Sequence, residues 1–162
     1  YGLVFLRCDS EEKVRDAYRA CIRGMQTAAV AIEGVLVAKM VAGRRELALG
    51  AKLDPVFGPV VMVSDGGKYI EALPDNVLLL PPFDEAAASA ALQRLRIAPL
   101  LRGVRGEPAL DVVALSRLAV RVGELMCSVQ DRVQAIDLNP VMVGSEGEGV
   151  VVVDALLQRI DP

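Results

Sequence analysis

The sequence predicts an α+β fold in which helices flank a mixed or antiparallel sheet. Two observations support this prediction: β-branched apolar runs alternate with helical patterns, and their order is strand, helix, strands, helices, hairpin. This order differs from the regular strand–helix alternation of a doubly wound parallel sheet. With 162 residues, of which 53% are hydrophobic, the chain can bury one core or form two small lobes.

The N-terminal segment predicts a strand followed by a helix. The run "YGLVFLR" (1–7) is typical of a short strand. Asp9 and Glu12 predict the capping box of a helix that continues to Gly24. Apolar residues recur at helical spacing at Val14, Ala17, Tyr18 and Cys21.

Three strands are predicted next, as an antiparallel meander: "GVLVAKMV" (34–41), "RELALGAKL" (45–53) and "VVMVS" (60–64). The segment "DGGKYIEAL" (65–73) predicts a Gly-Gly loop and a short strand. The paired prolines of "LLLPPFD" (78–84) then interrupt the pattern.

Two helices and a hairpin complete the chain. Asp84 and Asp111 are the predicted N-caps of an alanine-rich helix and of a second helix through "VVALSRLAVRVGELMCSV". The last two strands, "VQAIDLNPVMV" (133–143) and "GVVVVDALL" (149–157), are joined by the turn "GSEGEG".

Composition disfavours several classes of protein. A net charge of -3, a pI near 5.1 and 4% aromatic residues argue against nucleic-acid binding. No apolar run approaches the roughly 20 residues that span a bilayer, and the start lacks a signal-like pattern, so we expect a cytoplasmic protein without a membrane partner. Cys8, Cys21 and Cys127 have no CxxC spacing and indicate reduced thiols rather than a zinc site or disulfides.

The last hairpin carries polar side chains in an apolar setting. Asp137 and Asn139 share one face of their strand because side chains alternate, and Asp154 ends the partner run. If the register places Asn139 opposite Asp154, three oxygen-bearing groups converge, and such ligands suit magnesium with phosphates. A solvated face with turn-capping side chains is the alternative, and spacing alone leaves both open.

The segments "AIDLNPVMV" and "VVVVDALL" resemble the closing hairpin of the ATP-grasp domain in NDP-forming acyl-CoA synthetases, the ADP-forming acetate–CoA ligase family, which is similar to the succinyl-CoA synthetase β-subunit. The stretches "GVLVAKMVAGRRELALGAKLDPVFGPVVMVSDGGKYIEAL" and "LRIAPLLRGVRGEPALDVVALSRLAV" extend the resemblance over essentially the whole chain. It implies an incomplete ATP-grasp fold, lacking most of the small N-terminal lobe. Residues 1–33 correspond to the end of that lobe, and residues 34–162 to the C-terminal lobe with its closing hairpin at 133–156.

The resemblance implies a reaction and a set of ligands. Acyl-CoA, ADP and phosphate are interconverted with acid, CoA and ATP through a phosphohistidine, which this histidine-free chain must receive from another domain or subunit. Magnesium is expected on Asn139 and Asp154, and Asp137 is expected to face the incoming phosphohistidine loop. CoA is expected on other domains, and an oligomer is possible through an exposed sheet edge.

Other positions are implied by the same resemblance. The backbone of Lys39, Met40 and Val41 is expected beside adenine, and Glu46 near the triphosphate; a core strand and a solvated strand end are the alternatives. Gly66 and Gly67 are expected to let backbone amides approach phosphate or the partner loop, or simply to form a turn.

One departure from the family keeps a second function open. The family commonly has Gln-Glu where this chain has Ala38 and Lys39. A regulatory or interaction module that has lost catalysis, for example one fused to an acyltransferase, is therefore the alternative to a ligase. In either case we expect the isolated fragment to be inactive.

Overall fold

The computed structural model describes residues 1–28, 31–66 and 75–160. These residues form two compact units, Tyr1–Met40 and Val41–Pro162. The predicted lobe boundary between residues 33 and 34 stays a prediction. Gly67 and the short strand predicted after it lie outside the described residues.

The first unit contains helix α1, Glu11–Thr27. Its N-cap is Ser10, whose hydroxyl accepts the amide of Lys13 at 3.3 Å. The predicted cap, Asp9, instead pairs with the Lys13 ammonium at 2.6 Å. The helix also continues past Gly24, where a Cβ would lie 3.0 Å from Leu3, so this glycine serves packing rather than helix termination.

Two predicted strands are absent from the described residues. Residues 1–7 and 34–41 belong to no strand, and neither pairs with another segment among the described residues. β-Branched side chains favour extended backbone, but a strand also needs a neighbour for its amides and carbonyls. Leu36, 91% exposed, illustrates how little of this segment is packed.

The second unit is built on a six-stranded antiparallel sheet. Its strands are β1 (Arg45–Asp54), β2 (Gly58–Asp65), β3 (Asn76–Leu79), β4 (Val133–Val143), β5 (Val150–Val152) and β6 (Ala155–Arg159). The order is β3-β2-β1-β4-β5, and β6 also pairs with β4. A meander does occur, but it consists of β1, β2 and β3. β3 was not predicted, and the single strand predicted at 149–157 forms two strands, β5 and β6.

Three helices accompany this sheet: α2 (Glu85–Leu92), α3 (Ala98–Leu101) and α4 (Val112–Val129). The predicted N-caps of α2 and α4 are confirmed, because Asp84 and Asp111 accept the amides of Ala87 and Ala114 at 2.7 and 2.9 Å. The short α3 was not predicted. No helix in the described ranges combines the length and apolarity needed to cross a membrane.

The two faces of the sheet differ. Leu47, Leu49, Val61, Val63 and Val141 lie on one face and join residues of α2 and α4 in a single core. The alternate residues of the same strands lie on the opposite face, which we call the open face. Asp137 and Glu46 lie on this open face and are exposed.

Candidate functional site

In the terminal ribbon of β4, β5 and β6, β4 keeps one register with β6 and β5 from Ala135 to Val143. Leu138 pairs with Ala155, and Val141 pairs with Val152. Between these pairs, the Asn139 amide donates to the Asp154 carbonyl at 3.2 Å. Asn139 therefore lies opposite Asp154, and directly opposed residues of an antiparallel pair project from the same face.

A β-bulge explains how polar residues fit into this apolar strand. β1 pairs Leu47 with Val141 but Leu49 with Leu138, so Asn139 and Pro140 both face Ala48. One extra residue in β4 allows Leu138 and Val141 both to face the core, and the two bulged residues turn to the open face. The Asn139–Pro140 peptide bond is cis.

Asp137 lies on the same face, one row further along the ribbon. It is paired with Gly50 on β1 and with Leu156 on β6. Asp137, Asn139 and Asp154 are all exposed. The structure thus brings the three predicted oxygen-bearing residues to one patch of the open face.

The side-chain oxygen atoms of this patch suit a hard cation. One carboxylate oxygen of Asp154 accepts the amide of Ala155 at 2.9 Å. Among the described residues no hydrogen bond engages the side chains of Asp137 or Asn139. Three oxygen-bearing side chains without sulfur or imidazole fit magnesium, which keeps most of its positions for water and phosphate. Within residues 1–28, 31–66 and 75–160 no cluster of three or more His, Cys, Asp or Glu residues is placed to hold a metal.

Glu46, near the start of β1, contacts Gly66, which directly follows β2. The Gly66 amide donates to the Glu46 carbonyl at 3.1 Å and to the Asp65 carboxylate at 3.0 Å. A Cβ on Gly66 would lie 2.5 Å from the Glu46 carbonyl oxygen, so only glycine permits this contact. The Gly66 amide is therefore already engaged within the sheet, and a contact between this loop and phosphate stays a prediction.

The predicted adenine-binding residues fall in different units. Lys39 and Met40 belong to the first unit, where they line a mainly apolar cavity of about 730 Å³ together with Phe5 and Tyr18. Val41 belongs to the second unit. All three positions lie in irregular backbone rather than in the predicted strand.

The turn of the ribbon is held by Asp111, which was not predicted for this role. Asp111 was predicted only as a helix cap, but its second oxygen accepts the amides of Gly147 and Gly149 at 3.0 and 2.9 Å. The amide of Ala114 and these two amides lower the pKa of the Asp111 carboxyl, against the opposing effect of burial. No local pattern predicts a bond between residues so far apart in the chain.

Sequence comparisons identify related proteins. Residues 1–158 match the family described as "ATP-grasp domain". The chain is 41% identical over 158 residues to a trans-feruloyl-CoA synthase, FCS1, from an unknown prokaryotic organism, covering 96% of this chain and 22% of that protein. It is 30% identical over 156 residues to the acetate–CoA ligase [ADP-forming] I β-subunit of Pyrococcus furiosus, covering 95% and 66%. The chain thus spans about a fifth of FCS1 and about two thirds of the β-subunit.

Solved structures agree with these relatives. PH1788 from Pyrococcus horikoshii superimposes with a TM-score of 0.88 at 30% identity, covering 99% of this chain and 68% of that one. A Ca. Korarchaeum cryptofilum acetyl-coenzyme A synthetase in complex with coenzyme A and Mg-AMPPCP gives 0.83 at 30% identity, covering 96% and 67%. The resemblance to ADP-forming CoA ligases is confirmed, and the chain belongs to the ATP-grasp domain family.

Proposed function

We propose that this chain is the nucleotide- and magnesium-binding part of an ADP-forming acyl-CoA synthetase. The whole enzyme interconverts acyl-CoA, ADP and phosphate with free acid, CoA and ATP. The observation that carries the proposal is the register of the ribbon, which puts Asn139 opposite Asp154 on the open face. The names of the relatives, which are ADP-forming CoA ligases and a CoA synthase, support it.

Asn139 and Asp154 are the proposed magnesium ligands. When bound, the ion neutralises and orients phosphate oxygens, which is the main way in which phosphoryl transfer is assisted. Asp137 is the proposed catalytic residue. Its exposed carboxylate can accept a hydrogen bond from the imidazole of a phosphohistidine delivered by another domain, since this chain contains no histidine.

The remaining contacts belong to the same proposal. The backbone of Lys39, Met40 and Val41 borders adenine, and Glu46 and the Gly66–Gly67 loop border the phosphates. CoA and the phosphohistidine are supplied by the other domains of the enzyme. We place the enzyme in the cytoplasm, where its nucleotide and CoA substrates are found, and the free thiols of its three cysteines suit that reducing compartment.

Titration of the full-length protein with ATP in the presence and absence of magnesium tests the proposal. Asn139→Ala and Asp154→Ala are expected to weaken magnesium-dependent binding at least about tenfold, because each removes one of few ligands. Gln134→Ala and Asp131→Ala are matched controls, since both residues are exposed and lie in or beside the same ribbon outside the patch. Equal affinity in the site variants and the controls would contradict the assignment.

Ala38 and Lys39 favour one alternative, a module that keeps the fold without catalysis. The two functions differ in a single intermediate. A ligase, incubated with radiolabelled ATP and magnesium, acquires acid-labile phosphate on the histidine of its partner domain, and Asp137→Ala abolishes this label. Wild-type protein that neither binds ATP nor becomes labelled would instead establish the silent module.

A further inference from the structure

The hairpin between β1 and β2 ends in a turn that is fixed by hydrogen bonds. Asp54 and Gly58 form its last pair, and Pro55, Val56 and Phe57 make the loop. One carboxylate oxygen of Asp54 accepts the amides of Val56 and Phe57 at 2.9 and 3.0 Å. The proline ring fixes its own φ, and Gly58 has a φ of 71°. The turn is thus defined by its backbone and one carboxylate.

This turn displays two apolar side chains to water. Val56 and Phe57 are 80% and 67% exposed, although turns favour glycine, proline, asparagine, aspartate and serine. The turn of the terminal ribbon, GSEGEG, follows that preference and carries no apolar side chain. Apolar side chains on a preorganised turn are typical of a contact surface, because little conformational entropy is lost when a partner covers them.

The register places this turn at the end of the sheet where Asp137 lies. Asp137 pairs with Gly50, and Asp54 follows Gly50 by four residues along β1. At about 3.4 Å per residue, the turn begins roughly 14 Å from the row of Asp137. On the other side of β4, Leu156 pairs with Asp137, shares its face and is 68% exposed. Exposed apolar groups therefore lie on two sides of the proposed catalytic carboxylate.

We infer that Val56, Phe57 and Leu156 form a docking surface for the domain that carries the phosphohistidine. The inference rests on the proposed function, in which that domain brings an imidazole to Asp137. This chain contains no histidine and spans about a fifth of FCS1, so most of such an enzyme lies outside these residues and the histidine belongs to that part.

The size of a protein interface supports this choice of partner. A domain that brings its histidine within hydrogen-bond distance of Asp137 must cover the surface around this residue. One side of a specific interface covers about 800 Å², which is a disc of roughly 16 Å radius. A disc centred on Asp137 reaches both Leu156 and the turn at Val56 and Phe57.

The docking surface acts on phosphoryl transfer and leaves nucleotide binding to Asn139 and Asp154. In the transfer, the unprotonated imidazole nitrogen attacks the γ-phosphorus of ATP, and ADP leaves with the electron pair of the broken P–O bond. The other ring N–H stays hydrogen-bonded to Asp137. Docking holds the imidazole in position for this attack, and such positioning is a large part of catalysis between two bound groups.

Phe57→Ser and Val56→Ser in the full-length protein test the docking surface. Both are expected to keep the affinity for ATP with magnesium within about twofold. They are expected to slow the labelling of the histidine by radiolabelled ATP at least about tenfold, because an apolar contact with the partner domain is lost. Phe57→Leu keeps an apolar contact, so its labelling rate is expected to stay within about threefold of the wild type. The unfolding temperature is expected to stay unchanged, since both side chains are exposed.

Val113→Ser is the matched control for Val56→Ser. Val113 is 58% exposed and lies in the first turn of α4, which packs on the core face of the sheet. The same substitution is thus made on the side of the sheet opposite to Asp137. This variant is expected to keep both the ATP affinity and the labelling rate within about twofold.

The outcomes separate this inference from the proposed function. Wild-type protein that is not labelled by ATP with magnesium would overturn both. Labelling that is as fast in Phe57→Ser and Val56→Ser as in the wild type would overturn the docking surface alone. Slower labelling together with weaker ATP binding would assign the turn to the nucleotide site and would also overturn it. Slower labelling with unchanged ATP affinity, restored in Phe57→Leu and not seen in Val113→Ser, supports it.

Discussion

The carboxylate of Asp111 accepts a hydrogen bond from the backbone amide of Gly149 at 2.9 Å, and this bond joins the first turn of α4 to the turn of the terminal ribbon. The other carboxylate oxygen caps the helix through Ala114. One buried side chain therefore links the helical layer to the ribbon that carries Asn139 and Asp154.

Asp111→Ala is expected to lower the free energy of unfolding by about 2 to 3 kcal/mol, because it removes a helix cap and leaves the amides of Gly147 and Gly149 without their acceptor. The matched control is Asp84→Ala, which removes the cap of α2 and a single bond to Ala87, at a cost of about 1 kcal/mol. Urea unfolding followed by circular dichroism measures both. Equal losses would show that the bonds to the ribbon contribute nothing.

Acid is expected to weaken this link. The pKa of the Asp111 carboxyl lies below its usual value of 3.8, chiefly because of the Ala114 amide and also because of the amides of Gly149 and Gly147. A lowered pKa stabilises the fold above the unfolded-state value, and this contribution is lost as the pH falls through the folded-state value. Below about pH 4, the free energy of unfolding of Asp111→Asn should therefore fall less steeply with decreasing pH than that of the wild type. Parallel curves for the wild type and the variant would contradict this.

Arg45 and Asp65 join the ends of β1 and β2 through a bidentate ion pair, with contacts of 2.7 and 2.8 Å from one guanidinium nitrogen. Both side chains are about a quarter exposed, so water screens the pair only in part. A double-mutant cycle with alanine is expected to give a coupling of about 1 to 1.5 kcal/mol. The more exposed pair of Arg117 and Glu85 should give a clearly smaller value, and the reverse ranking would be inconsistent with the role of burial.

Gly66→Ala is expected to lower the free energy of unfolding by at least about 2 kcal/mol, because the new methyl group meets the backbone of Glu46 and Leu47, which cannot move aside. Gly34→Ala is the control, since a Cβ there has no neighbour within 4 Å, and its effect should stay within about 0.5 kcal/mol. Similar unfolding midpoints for both variants would disprove the close approach at Gly66.

Elements whose signals are local were predicted correctly. The caps at Asp84 and Asp111 are seen because a side chain bonds to an amide three residues on. β1 and β4 are long runs with strong strand preference, and both occur where the sequence places them. Such signals depend on residues nearby in the sequence, so they do not require a contact with a distant segment.

Elements that depend on a distant partner were predicted less well. Residues 1–7 and 34–41 have the composition of strands but form none, because no other described segment pairs with them. β3 was missed because its four residues are short and lie next to paired prolines, and its pairing with β2 is what makes it a strand. The position of the helix cap at Ser10 was likewise decided by geometry, since Asp9 was free to pair with Lys13.

By itself the sequence determined the chemistry of the candidate site: Asp137, Asn139 and Asp154 are oxygen-bearing residues, and alternation along the predicted strand puts the first two on one face. Only the tertiary structure decided that Asp154 joins them, since a slip of one residue would have sent it to the other face. The bulge opposite Ala48 was equally unpredictable, because it arises from the pairing of β4 with β1, two strands that lie far apart in the sequence. Pairing between distant strands sets both register and bulge, and side-chain direction follows from them.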